Sequence, residues 1–294
     1  MKKAITVRNI SKTIGRKKIL DKVSFDIYEN EIVGLVGKNG AGKSTLLKIL
    51  TGLYSYDEGE IYYYNYNLKN DYEKAMSMVG TLIENPDLYN NLSGKKNLEL
   101  FKTMFKGVDE GTVEEIFRIL EMEKYLGRKF KTYSLGMKER LGIASSLINK
   151  PKILILDEPT NGLDREGVKD IMKMLKELKD TTIIISSHML SDIEEICSKI
   201  IFINNGTVDS IKIKKTDNKK NIVFEVDDFS KARLLIKDYC VNENLEVCET
   251  DDTISLINKE LVLNNINVYR ISESSNTLER DFFKMIGKSN DKTN

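Results

Sequence analysis

The chain has 294 residues, and its 46 Lys+Arg against 45 Asp+Glu leave a formal net charge of +1. With 40% hydrophobic and 31% charged residues it is no disordered chain, and at roughly 150 residues per domain it holds one large domain or two unequal ones. The near-zero charge gives no reason to expect nucleic acid as a partner. Three cysteines without a CxxC pair and a single histidine exclude a zinc or disulfide scaffold. No apolar run approaches the roughly 20 residues of a membrane span. The start, MKKAITVRNISK, lacks the apolar core of a signal peptide. The expected setting is a reducing cellular interior, with any membrane role reached through a partner.

In chain order, Ile5–Val7, Val23–Tyr28 and Ile32–Val36 are rich in β-branched residues and read as strands. Lys43–Leu50 follows a Gly-rich turn with helical spacing. Ile61–Tyr66 reads as extended, and the six tyrosines within Tyr54–Tyr66 as one face of a strand pair. Val79–Ile83 is a further strand. From Ser93 to about Leu120 the apolar period is helical, and Ser134 starts a helix that ends near Pro151. Ile153–Leu156, Thr182–Ile185 and Ile200–Ile203 are fully apolar runs separated by helical segments, the pattern of a mainly parallel sheet covered by helices.

After Ser210 the composition turns polar. Residues 213–221 read as a linker between a domain over 1–212 and a smaller one over 222–294. The latter reads as strand Ile222–Val226, helix Ser230–Cys240, strands near Leu245–Cys248 and Ile254–Ile257, helix Lys259–Asn265, strand Val268–Ile271 and helix Leu278–Ile286. That βαββαβ order predicts a small α+β domain of ferredoxin-like type.

The chemistry-bearing motifs lie in the first 210 residues. Gly37-Lys38-Asn39-Gly40-Ala41-Gly42-Lys43-Ser44 fits G-x-x-x-x-G-K-[ST] between an expected strand and an expected helix. Glycines there let backbone N–H groups turn around phosphate oxygens, the helix start adds its positive end, Lys43 adds a cation, and Ser44 can ligate Mg²⁺. Thr45 continues the helix start. Ile153–Leu156 then ends in Asp157 and Glu158, two acids at the C-terminal edge of a parallel strand. Asp157 is the candidate Mg²⁺ ligand. Glu158, on the other side of the pleat, is the candidate to orient or deprotonate an attacking water.

Tyr133-Ser134-Leu135-Gly136-Met137-Lys138-Glu139-Arg140 opens the next helix. In this order the motifs resemble the ATP-binding subunits of ABC transporters, and Ser134–Lys138 resembles their signature sequence, usually LSGGQ. The resemblance implies an ATPase of P-loop NTPase α/β fold, with a mainly parallel sheet plus antiparallel and helical subdomains. It implies ATP and Mg²⁺ as ligands and two copies meeting face to face around ATP. Ser134 and Gly136 of one copy would then reach the γ-phosphate held by the other. Asn161-Gly162-Leu163-Asp164 resembles the family's D-loop, which crosses the dimer interface. His188 resembles its switch histidine, which contacts the γ-phosphate and the water. A separate membrane permease is implied as partner, placing the chain at the inner face of the cell membrane.

Three departures stand out. The aromatic that usually stacks on adenine is replaced by Ile14, with no Tyr, Phe or Trp before Leu20. The loop that usually carries a glutamine reads Leu82-Ile83-Glu84-Asn85-Pro86, so that Glu84 would stand beside the metal. The signature lacks its second glycine and final glutamine. LIENPDLYNNLS and YSLGMKERLGIA, with Asn276–Phe283 near the end, resemble the bacitracin-export and lantibiotic-immunity branch of Gram-positive bacteria. A soluble ABC ATPase without a permease and a non-hydrolysing nucleotide-binding module are the alternatives.

Overall fold

The computed structural model describes residues 2–84, 86–105, 107–109, 111–213, 220–241 and 244–273. The elements run β1 (Lys3–Ile14), β2 (Lys17–Tyr28), β3 (Ile32–Val36), α1 (Lys43–Leu50), β4 (Glu58–Tyr63), β5 (Tyr66–Asn67), α2 (Tyr72–Met76) and β6 (Val79–Leu82). A helical stretch follows with α3 (Gly94–Lys102), α4 (Thr112–Ile119) and α5 (Leu135–Ser146). Strands and helices then alternate through β7 (Ile153–Leu156), α6 (Arg165–Glu177), β8 (Thr182–Ser187), α7 (Leu190–Ile193), β9 (Lys199–Asn204) and β10 (Thr207–Ile213). The chain divides into two compact units, Met1–Lys214 and Lys215–Asn294.

Two sheets build the first unit. One is antiparallel, in the order β2-β1-β4-β5, and the other has the order β10-β9-β3-β8-β7-β6. In the second sheet β9, β3, β8, β7 and β6 are parallel, and β10 pairs antiparallel with β9 at the edge. Ile153–Leu156 are fully buried, as a central parallel strand covered on both faces requires. Ile5, Val7, Leu46, Leu50, Ile61, Ile153 and Ile184 belong to one core joining the two sheets and α1. The tyrosines of residues 54–66 do not share a face. Tyr63 is fully buried and donates its hydroxyl to the Leu50 carbonyl, while Tyr54 and Tyr66 are exposed. The pleat sends neighbours Tyr62 and Tyr63 to opposite sides, so only alternate residues can face the core.

This topology positions the site. The C-terminal ends of β3, β8, β7 and β6, which are neighbours in the sheet, open into the glycine loop, the turn at His188, the Asp157–Glu158 pair and the segment at Glu84. In open parallel sheets that edge is where ligands bind.

The second unit contains β11 (Lys220–Val226), α8 (Phe229–Leu235), β12 (Glu246–Glu249), α9 (Asp251–Leu263) and β13 (Val268–Glu273). Its sheet has the order β12-β11-β13, with both pairs antiparallel. The expected strand at Ile254–Ile257 is instead part of α9, which runs on through the start of the expected helix at Lys259. Thr250 caps this helix by accepting from the Thr253 N–H, and Ile254, Ile257 and Leu261 recur at helical spacing on the buried face. A short apolar run fits either period, and the cap decides it. The expected strand near Leu245–Cys248 is β12, and Cys240 adds an isolated antiparallel bridge to its Val247. The expected helix Leu278–Ile286 and the resemblance over Asn276–Phe283 lie outside the described residues.

Candidate functional site

The loop after β3 keeps its shape for steric reasons. A Cβ on Gly37 would stand 2.3 Å from the Ile203 carbonyl oxygen. Gly42, the residue before α1, has φ +110°, and a Cβ there would meet Leu20 at 2.9 Å. The turn at Gly206 braces the loop, since its N–H donates to the Ala41 carbonyl and its own carbonyl accepts from the Asp21 N–H. Lys38, Asn39 and Gly40 are exposed, Lys43 is buried, and Ser44 is exposed at the helix start. Thr45 is half-buried beside it.

Lys43 Nζ donates to the Gly37 carbonyl at 2.8 Å and lies 3.3 Å from Glu158 Oε1. The other oxygen of that carboxylate is 3.0 Å from His188 Nδ1. An ionised carboxylate only accepts, so this contact places the ring proton on Nδ1 and leaves Nε2 for another partner. Glu158 itself sits in the left-handed region at φ 48°. Such a conformation costs of order 1–3 kcal/mol and persists only where the surroundings hold it. Ser186 is one of the groups that hold it: its hydroxyl accepts from the Glu158 N–H at 2.8 Å and donates to Asp157 Oδ1 at 2.5 Å. Ser186 is fully buried, and it fixes both acids at once.

Ser44, Glu84, Asp157, Glu158, Asn161 and Glu139 line one cavity of about 240 Å³. Glu84 comes from the end of β6, where Leu82 pairs with Leu156 and accepts from the Asp157 N–H. It has φ 66°, and its carboxylate lies 2.6 Å from Lys48 Nζ on α1. That ammonium holds the Glu84 carboxyl below the usual carboxylate range. The cation that a carboxylate needs at this place is thus supplied by the protein as well as by any bound metal. Glu139 was not anticipated. It is buried on α5 without a hydrogen bond or ion pair to any described residue, and burial pushes its carboxyl up to about 7. Among the described residues no cluster of three or more His, Cys, Asp or Glu side chains is arranged to hold a metal. A hydroxyl at Ser44 and a carboxylate at Asp157, both hard oxygen donors, suit a Mg²⁺ ion that takes its remaining ligands from phosphate and water.

The other candidates lie elsewhere. Ser134 caps α5 by accepting from the Met137 N–H, and Asp164 caps α6 by accepting from the Gly167 N–H. With Gly136 and Gly162 they line a separate cavity of about 650 Å³. A Cβ on Gly136 would meet Leu163 at an ordinary 3.7 Å, so nothing among the described residues requires glycine there. Ile14 ends β1 opposite Lys17, is 47% exposed, and is not among the residues lining the Ser44–Asp157 cavity. Sequence reasoning missed Ser186, Glu139 and Lys48. Ser186 had a signal, being a polar residue closing an otherwise apolar strand. The other two had none, because their significance lies in what faces them.

The family profile described as "ABC transporter" matches residues 20–161. The chain is 34% identical to a bacitracin transport ATP-binding protein (BcrA) of Enterococcus faecalis, over 98% of this chain and 97% of that protein. It is 40% identical to a lantibiotic transport ATP-binding protein (SrtF) of Streptococcus pyogenes, over 74% of this chain and 93% of that one. Among solved structures it resembles a dimeric post-hydrolysis ATP-binding cassette bound to ADP and Pi. The TM-score is 0.64 at 26% identity, covering 72% of this chain and 99% of the other.

Proposed function

The chain belongs to the ATP-binding proteins of ABC transporters, which are ATPases, and from that premise we propose that it powers a separate permease exporting an antimicrobial peptide. The observation that carries the enzymatic part is the convergence of Lys43, Glu158 and His188 beside Ser44 and Asp157. In this reading the glycine loop and Lys43 hold the β- and γ-phosphates of ATP. Glu158 takes a proton from the attacking water as its oxygen bonds to the γ-phosphorus and the bond to the leaving ADP oxygen breaks. His188 orients the Glu158 carboxylate and offers Nε2 to the γ-phosphate. Ser44 and Asp157 would hold Mg²⁺, with Glu84 beside them. A bound Mg²⁺ neutralises phosphate charge. Ile14 offers adenine an apolar contact without a stacking ring.

The separation of Ser134, Gly136 and Asp164 from the phosphate loop supports a composite site, in which a second copy closes over the nucleotide. The peptide substrate class rests on the bacitracin and lantibiotic relatives. No helix among the described residues is long and apolar enough to cross a membrane, so in this reading the span belongs to the permease and this chain sits at its cytoplasmic face. The second unit is read as a separate α+β domain.

Mixing two defective copies tests the composite site. Lys43→Ala and Ser134→Ala homodimers should each be nearly inactive. A mixed dimer has one site carrying both defects and one carrying neither. Random mixing should therefore restore up to about a quarter of wild-type turnover. An inactive mixture whose heterodimers are demonstrated by pull-down would overturn the composite site. Wild-type protein without ATP turnover would overturn the ATPase assignment.

A further inference from the structure

The cavity at the strand ends is lined by four acidic side chains, Glu84, Glu139, Asp157 and Glu158. A site for polyphosphate tolerates such a crowd only where cations offset it. Lys43 does so for Glu158. Lys48 lies four residues after Ser44, on the same face of α1. Its Nζ is 2.6 Å from Glu84 Oε1 and sits over the Tyr54 ring, 5.4 Å from the centroid. The Tyr54 N–H donates to the Lys48 carbonyl, which ties the ring to the end of the helix. The Glu84 side chain is 69% exposed, so the pair adds little to folding stability. Its consequence is local: it sets the net charge that Glu84 presents to the cavity.

We infer that Lys48 is a positioning residue, the built-in counter-ion that allows a carboxylate at residue 84 to face a bound nucleotide. The inference rests on the ATP-binding reading above. Lys48 does for Glu84 what Lys43 does for Glu158, and Glu84 meets it from a left-handed backbone at φ 66°. The competing account is a helix-end cation, because Lys48 also lies in the last turn of α1 and would favour that terminus whatever residue 84 is.

A double-mutant cycle separates the two, read by calorimetric Kd for ATP with Mg²⁺ and in EDTA. Lys48→Met should weaken ATP binding about fivefold or more in EDTA, where Glu84 is left bare against the phosphates, and less when Mg²⁺ is present. Lys48→Arg, which keeps the charge, should recover most of that affinity. In a Glu84→Gln background, Lys48→Met should change Kd less than about twofold, since an amide needs no counter-ion. Equal losses in both backgrounds, no loss in either, or a Lys48→Arg protein as weak as Lys48→Met would overturn the inference. Wild-type protein that binds no ATP would overturn the functional reading instead.

Discussion

In the cavity above β3, β7 and β8, most charged side chains are tied to another group of the same chain. Glu158 is held by Lys43 and His188, Asp157 by Ser186, and Glu84 by Lys48. On the face formed by the starts of α5 and α6, Ser134 and Asp164 give their oxygens to the first turns of their own helices, and no described residue packs Gly136 closely enough to need it small. The first region is wired in advance except at Glu139. The second consists of capped helix starts beside open space. The contrast separates two kinds of site: a wired cluster fixes geometry in advance, while capped helix starts at an open face acquire a role only when an anion arrives.

The sharpest way to break the wired region is Glu158→Gln. The amide keeps the shape and loses the proton acceptor, while Lys43 and Asp157 remain. ATPase should fall by two to three decades, roughly 3–4 kcal/mol of barrier, with ATP affinity retained. Size-exclusion chromatography with ATP should show more dimer than wild type. Wild-type turnover in this variant would remove Glu158 from the chemistry.

Glu139 is the exception in that region, a buried carboxyl without a partner among the described residues, pushed up to about 7. Its folded-state pKa lies above the unfolded one, so the folded protein binds the extra proton between the two. Stability from this group is therefore greatest at low pH and is lost as pH rises from about 4.5 through about 7, by up to ~3 kcal/mol. Glu139→Gln cannot titrate. Its melting temperature relative to wild type should rise by at least about 2 °C between pH 5.5 and 8.5. Parallel pH profiles for the two proteins would show that Glu139 carries no such burial penalty.

Gly136→Ala sharpens the comparison from the other side with the smallest expected change. A Cβ fits within the chain, and Ala in place of a helical Gly should stabilise the fold by roughly 0.5–1 kcal/mol. If a second copy's nucleotide approaches this backbone, ATPase should nevertheless fall, by about tenfold. A more stable protein with lower turnover is the expected pair of results. A fall in both would place the glycine in the fold, and unchanged turnover would clear this face of any role.

Much of this was legible in the residues. The glycine loop, the apolar run ending in Asp157-Glu158, the Ser134 helix start and the lone His188 carry local signals, because each depends on spacing within a few residues and on whether a strand or helix flanks it. Ile254–Ile257 was illegible as a helix because three apolar residues in four fit two periods, and only the Thr250 cap and burial beside Leu261 choose between them. Spacing along the chain likewise could not pair Lys48 with Glu84, Ser186 with Asp157 and Glu158, or Glu139 with the same cavity. The Lys48 and Ser186 contacts join residues 28 to 36 apart in sequence, and β6, β7 and β8 become neighbours only when the parallel crossovers close. The sequence by itself thus determined which groups can do chemistry, since that is a property of residue type and local backbone. Only the tertiary structure decided which of them neutralise one another, since electrostatic pairing falls off with distance through space and takes no account of distance along the chain.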